Sequence, residues 1–332
     1  MQAKLGFRNN TDSSRFNFRV PFRRKEYEKY ITALKNSGAI EIEHVGKNLQ
    51  LGKQRQRVKD SIQVIHDLEM KAILYTGIFG SIDVRNNGEL KKMVQRDLFE
   101  NVLSYGKQGQ GAAMMCPSSD YIEKVVLPQI NKTLKFAAYD GIFLDIPWIM
   151  YGGCFCENCH DVREENKSEG KNQAEINAIN VRQGLERFVG AIKKDHPYLK
   201  ISVNASAPTI YRHSYHGAEI ENLAGLFDQY VSEWNPLRMN QQVSVVTKCI
   251  ERTIEIVEET ETIEGVQKDA EFYHATTCTD PIGKIYPAEK LSKLFYAILN
   301  GGALPRLGVA FGNEGLGVIK NAWKNAVERY QK

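Results

Sequence analysis

No stretch of the 332 residues is apolar for long enough to cross a bilayer, and residues 1–20 hold no apolar core of the kind a secretory signal needs. Both absences lead to the expectation of a cytoplasmic protein with no membrane partner. Tracts of like charge are missing too: 44 Lys and Arg stand against 40 Asp and Glu, a formal net charge of +4, and the two signs are mixed. The densest basic cluster, Arg19, Arg23, Arg24 and Lys25, reads as a solvated loop entering a helix, so nucleic acid is not an expected partner. There is no internal repeat and no low-complexity linker. Gly77-Ile78-Phe79-Gly80 lacks the spacing and the lysine of a phosphate-cradling loop, and Gly301-Gly302 precedes a strand rather than a helix, which argues against nucleotide binding.

What is present is an alternation. With 42% hydrophobic and 25% charged residues, the chain has the balance of a folded enzyme. Short β-rich runs lie at Lys4–Phe7, Ile40–Val45, Ala72–Thr76, Gly141–Asp145, Lys200–Asn204, Asp228–Ser232, Glu271–Thr276 and Ala303–Val309. Between them, apolar residues recur at helical spacing: Tyr27, Tyr30, Ile31 and Leu34; Val58, Ile62 and Ile65; then residues 174–194, 240–258, 287–299 and 314–329. Eight strands separated by crossover helices predict an α/β fold, a (β/α)8 TIM barrel in one domain spanning 1–332. The long intervals 77–140 and 146–199 read as enlarged loops after strands three and four. In such a barrel these project from the face that carries the active site.

Six cysteines in a reducing compartment argue against a disulfide framework and for metal ligation where they cluster. Cys154, Cys156 and Cys159 form a C-x-C-x-x-C run just past the fourth strand, close enough for three thiolates to meet one ion. Structural zinc takes four ligands, and Cys116 in the other long loop is the best candidate for the fourth, with His160 as an alternative. Free thiols or a disulfide are the competing readings. Cys249 and Cys278 read as ordinary thiols.

The segments Met115-Cys116-Pro117-Ser118-Ser119-Asp120-Tyr121, Asp140-Gly141-Ile142-Phe143-Leu144-Asp145 and Cys154-Phe155-Cys156-Glu157-Asn158-Cys159 together resemble glycoside hydrolase family 42 and related glycosyl hydrolase barrels, including the family 151 α-L-fucosidases. The resemblance implies a structural zinc on Cys116, Cys154, Cys156 and Cys159. It departs from family 42 at the end of strand four, where an Asn-Glu pair is replaced by Leu144-Asp145. Asp145 is instead similar to the strand-four aspartate that serves as nucleophile in the fucosidase-like barrels.

Glycoside hydrolysis proceeds through an oxocarbenium-like transition state and usually needs two carboxyl groups. Asp145 closes the apolar run Ile142-Phe143-Leu144, and Glu233 follows Tyr230-Val231-Ser232, so both are expected at strand tips on the catalytic face. The reading assigns Asp145 as nucleophile and Glu233 as acid/base, the latter with a pKa raised by an apolar neighbour, Trp234. Retention, the favoured outcome, requires a carboxyl separation that sequence does not give. Candidate substrate contacts are Glu43, His44, Tyr75, Trp148, Asn204, Trp234, His274 and Arg306, with the two indoles suited to the apolar face of a sugar ring. The substrate class is a small glycoside, fucoside-like or galactoside-like. A homo-oligomer is compatible with this reading. A carbohydrate-binding barrel without turnover, or a lyase or isomerase on the same fold, are the alternatives.

Overall fold

The computed structural model describes residues 7–11, 24–44, 53–80, 84, 87–105, 112–150, 152–205, 217–233, 244–262, 266, 270–277, 285–308 and 313–332. Ten strands lie within them: β1 (Phe7–Thr11), β2 (Ala39–His44), β3 (Lys71–Gly77), β4 (Ser104–Tyr105), β5 (Ala112–Ala113), β6 (Gly141–Asp145), β7 (Lys200–Ala205), β8 (Gln229–Glu233), β9 (Glu271–Thr277) and β10 (Leu304–Gly308). β4 and β5 form a small antiparallel ribbon. The other eight close a barrel in the order β1-β10-β9-β8-β7-β6-β3-β2, every neighbour parallel. The expected (β/α)8 architecture is therefore the observed one.

The expected and observed boundaries agree within about a residue or two for seven strands. The first is displaced: Lys4–Phe7 was expected, but the strand runs Phe7–Thr11, Phe-Arg-Asn-Asn-Thr. A polar strand offers no apolar run to read, and pairing with β2 and β10 overrides its weak intrinsic signal. The helix expected at 240–258 spans Ser244–Glu258, with 240–243 outside the described residues. Helices inside the long loops were not anticipated, Leu127–Phe136 and His160–Ser168 among them; the second carries a single aliphatic residue, Val162.

Strand alternation divides the buried residues into two cores. Ile42, Ala72, Leu74, Ile142, Leu144, Ile201, Val203, Tyr230 and Leu307 face outward and join the helices in the main cluster. Ile73, Phe143, Val231 and Tyr273 face inward and fill the barrel, with Tyr75 and Leu304 against them. Below this plug, towards the strand N-termini, the interior is charged. Lys71 pairs with Glu41 at 3.3 Å, Lys200 pairs with Glu271, and Gln229 donates to Glu271 at 2.6 Å.

The helix Gln173–Asp195 begins at a capping box, in which the Asn172 side chain and Glu175 satisfy each other's backbone N–H groups. Its last turn is tied to the sheet by Lys193, which donates to Asp228 at 2.7 Å and to the Leu199 carbonyl at 3.1 Å. Asp228 also accepts the Ile201 amide at 2.8 Å, so one buried carboxylate fixes the starts of both β7 and β8. Among the described residues no helix is long and apolar enough to cross a membrane.

Candidate active site and cysteine centre

Asp145 is the last residue of β6, whose first four residues are buried while Asp145 is partly open. Alternation puts it on the inward register two positions after Phe143, at the C-terminal end of the barrel. Both carboxylate oxygens are engaged. The Tyr75 hydroxyl of β3 donates a hydrogen bond to Oδ2, and Asn204 Nδ2 of β7 donates to Oδ1 at 3.0 Å. Burial, then the negative charge of Asp145, push the Tyr75 phenol far above its ordinary value of 10.0, so it remains a donor at every working pH. The chain thus supplies two neutral donors from the flanking strands to one carboxylate.

The backbone just past Asp145 is strained. Ile146 has φ of 56°, the left-handed region that a β-branched residue rarely enters. The conformation is held from both sides: Ile78 N donates to the Asp145 carbonyl at 2.8 Å, and the Ile146 side chain packs against Gly80. A Cβ at position 80 would meet Ile146 Cγ2 at 2.8 Å, which explains why glycine stands there.

Beside this group, Arg306 of β10 grips Glu43 of β2 with two parallel hydrogen bonds of 2.6 and 2.7 Å. Both side chains are almost fully buried, and the guanidinium lies 4.2 Å from the centre of the Phe143 ring. Geometry of this kind fixes an ion pair rigidly. Glu43 and Arg306, expected as separate sugar contacts, are therefore partners of each other.

Tyr75, Asp145, Asn204, Glu43 and Arg306 are brought together at the mouth. Trp148 is half-buried, packs against the main core and offers its carbonyl to Gln95 at 3.3 Å. The backbone of Glu233 ends β8 in register with Ala275, two residues after inward-facing Val231. The backbones of His44 and His274 take the alternate register, opposite Leu74 and Ser232. The side chains of Glu233, His44 and His274, and all of Trp234, lie outside the described residues, as do Cys278 and residues 206–216 and 234–243 that follow β7 and β8.

Two long loops meet above β3 and β6, and Gln95 sews them together. Its buried amide donates to the Met115 carbonyl at 3.0 Å and accepts the Met150 amide at 2.9 Å. Phe155 N to Arg96 O at 2.8 Å and Asn158 Nδ2 to Lys92 O at 2.8 Å extend the seam. Nothing in the sequence pattern marked Gln95 for this role.

At the seam, Cys116, Cys154, Cys156 and Cys159 are all buried, with their sulfurs within 4.8 Å of one another. Individual separations are 3.2 Å for Cys116–Cys159, 3.4 Å for Cys154–Cys156 and 3.9 Å for Cys156–Cys159. A metal with M–S bonds of ~2.3 Å in a tetrahedron requires S···S edges of about 3.8 Å, whereas a disulfide requires about 2.05 Å. The cluster has the first geometry, so it could hold a metal ion. The Cys156 thiol is pulled far down by Cys116, Cys154 and Cys159, and the Cys116 thiol is pushed up by Cys154 and its neighbours. Thiols this close perturb one another strongly, and a divalent cation would favour the deprotonated form of all four. His160 is exposed and takes Asp161 at 3.2 Å instead.

No family model matches the sequence, and no curated protein matches it. Solved structures do. An α-L-fucosidase isoenzyme 2 from Paenibacillus thiaminolyticus superposes with a TM-score of 0.67 at 15% identity, covering 98% of this chain and 50% of the fucosidase. A family GH42 β-galactosidase, Gan42B from G. stearothermophilus, gives 0.71 at 11% identity, covering 99% and 57%. A GH36 α-galactosidase, AgaA from Geobacillus stearothermophilus, gives 0.55 at 8% identity, covering 98% and 42%. The chain spans about half the length of these proteins. At such identities the shared property is the fold, a barrel of the glycoside-hydrolase kind.

Proposed function

We propose that this chain is a glycoside hydrolase that cleaves a small glycoside with retention, using Asp145 as nucleophile and Glu233 as acid/base. The observation that carries the reading is the carboxylate of Asp145, held at the C-terminal end of β6 by Tyr75 and Asn204 within a glycosidase-like barrel. A nucleophile needs a fixed direction of attack, and two donors on opposite oxygens fix it. Each oxygen keeps a lone pair for the anomeric carbon. Glu43 is a poor alternative acid, because both its oxygens are gripped by Arg306. A fucoside-like or galactoside-like substrate is the class favoured by the sequence resemblance and by the kinds of enzyme that share the fold.

Zinc is the metal proposed for Cys116, Cys154, Cys156 and Cys159, since four thiolates in a closed tetrahedron are the donor set of a structural zinc site. Its part is to pin the two loops that overhang the mouth. The chemistry at the sugar belongs to the carboxylates. The test is chemical rescue: Asp145→Gly abolishes hydrolysis of activated aryl glycosides, and azide restores turnover by occupying the vacated position. A variant as active as the parent protein removes Asp145 from this role.

A further inference from the structure

The strand pattern of β6 breaks at Ile146. Successive carbonyls of a regular strand point to opposite neighbours. Past Asp145 they do not: the Asp145 carbonyl accepts Ile78 N at 2.8 Å and the Ile146 carbonyl accepts Phe79 N at 3.4 Å, both on the segment that continues β3. The turn that allows this is the left-handed Ile146, with φ of 56°, directly before Pro147. A proline restricts the residue before it and fixes its own φ, so the chain leaves the strand in one direction. Irregularities of this kind beside active sites re-aim a side chain.

Glycine or asparagine would enter the left-handed region at less cost than a β-branched residue. That isoleucine stands there gives its side chain a use, and its contacts show what it is. Ile146 is only 6% exposed, and its Cγ2, Cδ1 and Cβ stand 2.8, 2.9 and 3.2 Å from where a Cβ on Gly80 would be. The branched side chain is therefore seated directly on the bare backbone of Gly80. The preceding residue, Phe79, is itself braced, because its carbonyl accepts Met115 N at 2.6 Å. A left-handed conformation persists in a β-branched residue only where the surroundings over-determine it, and such positions cluster at functional sites. Here the adjoining residue is the carboxylate held by Tyr75 and Asn204.

We propose that Ile146 and Gly80 are positioning residues for Asp145: the isoleucine seated on the glycine locks the left-handed turn, and the turn sets the direction in which the carboxylate meets the Tyr75 hydroxyl and the Asn204 amide. The geometric part stands on the contacts alone. Its effect on rate rests on the reading of Asp145 as nucleophile. Both residues are buried, so their influence falls on the reacting geometry rather than on binding of the sugar.

The experiment compares the full chain with its Ile146→Gly, Ile146→Val and Gly80→Ala variants by crystal structure, thermal melt and steady-state kinetics on para-nitrophenyl α-L-fucoside and β-galactoside, with Asp145→Gly as reference. In Ile146→Gly the carboxylate should swing away from Tyr75 or Asn204. Its kcat should fall by roughly 10- to 100-fold with KM little changed, the scale of a displacement of about 1 Å at a reacting atom. Ile146→Val keeps the branch at Cβ that meets Gly80 and should recover most of that loss. Gly80→Ala drives a methyl against Ile146 from the other side; it should reproduce the kinetic defect, and it decides the matter should Ile146→Gly not fold. A carboxylate still bonded to both Tyr75 and Asn204 in these two variants overturns the proposal, as does a rise in KM with kcat at the parental value. The structures are read whether or not either glycoside is hydrolysed, so the geometric part is decided in both cases. Activity in Asp145→Gly removes the nucleophile reading instead, whereas parental kcat in Ile146→Gly beside an inactive Asp145→Gly removes only the positioning.

Discussion

Replacing Cys156 with serine removes one corner of the thiolate tetrahedron and tests whether a metal joins the two long loops. The sulfur separations of 3.2, 3.4 and 3.9 Å bracket the edge of about 3.8 Å that an ion with ~2.3 Å bonds demands, so little rearrangement is needed to load the site. Cys156 is nearly fully buried and sits between two of the other sulfurs, so its loss removes a central member of the cluster. Structural zinc contributes roughly 10–16 kcal/mol to folding of small zinc peptides. Here the four cysteines lie on the two long loops outside the closed ring of strands, so the loss should fall first on those loops. Elemental analysis of protein purified without chelator should give about one zinc per chain for the parent and a small fraction of that for Cys156→Ser. Limited proteolysis should open new cuts within residues 93–116 or 146–159, with the circular-dichroism signature of the barrel preserved. A metal-free parent, or a variant that keeps its full complement, would refute the reasoning.

Tyr75→Phe removes one of two donors to Asp145 while keeping the ring that packs 5.8 Å from Phe143. kcat/KM should fall by roughly 10-fold or more, the scale of a hydrogen bond to a charged group, with unfolding in urea little changed; an unaltered rate would show that Tyr75 does not orient Asp145. At the barrel floor, burial raises the Glu271 carboxyl, but hydrogen bonding and charge from Lys200, helped by Lys71, bring it below its ordinary value of 4.5. A depressed carboxyl stabilises the fold above its unfolded pKa, and that contribution is lost as pH falls through the folded one. Lys200→Met should therefore cost most stability near pH 7 and progressively less below pH 4.5, read by urea unfolding at both ends. A penalty independent of pH would contradict the pairing.

The barrel was legible because seven of its strands are β-rich, with apolar residues in runs or in alternation, and its helices carry clear stripes. β1 was misplaced because its residues are polar and its strand character comes from pairing with β2 and β10. At the site, Asp145 was visible as an acid ending the run Gly-Ile-Phe-Leu, and the cysteines were visible through their spacing. The bond between Glu43 and Arg306 was not, because it joins residues 263 positions apart and only barrel closure makes them neighbours. Tyr75 was picked out as a strand-three residue near the sugar; its bond to the carboxylate depends on the register of β3 against β6. Gln95 and the left-handed Ile146 left no trace at all, since a buried amide and a strained φ are consequences of how two loops pack.

The most direct test of the central claim is covalent trapping. An activated fluoro-glycoside, whose fluorine destabilises the oxocarbenium-like transition state and slows release of the glycosyl-enzyme, should add one sugar mass to the protein. Peptide mapping should place that sugar on Asp145. A label on any other side chain of a protein that turns over the unfluorinated glycoside would contradict the account.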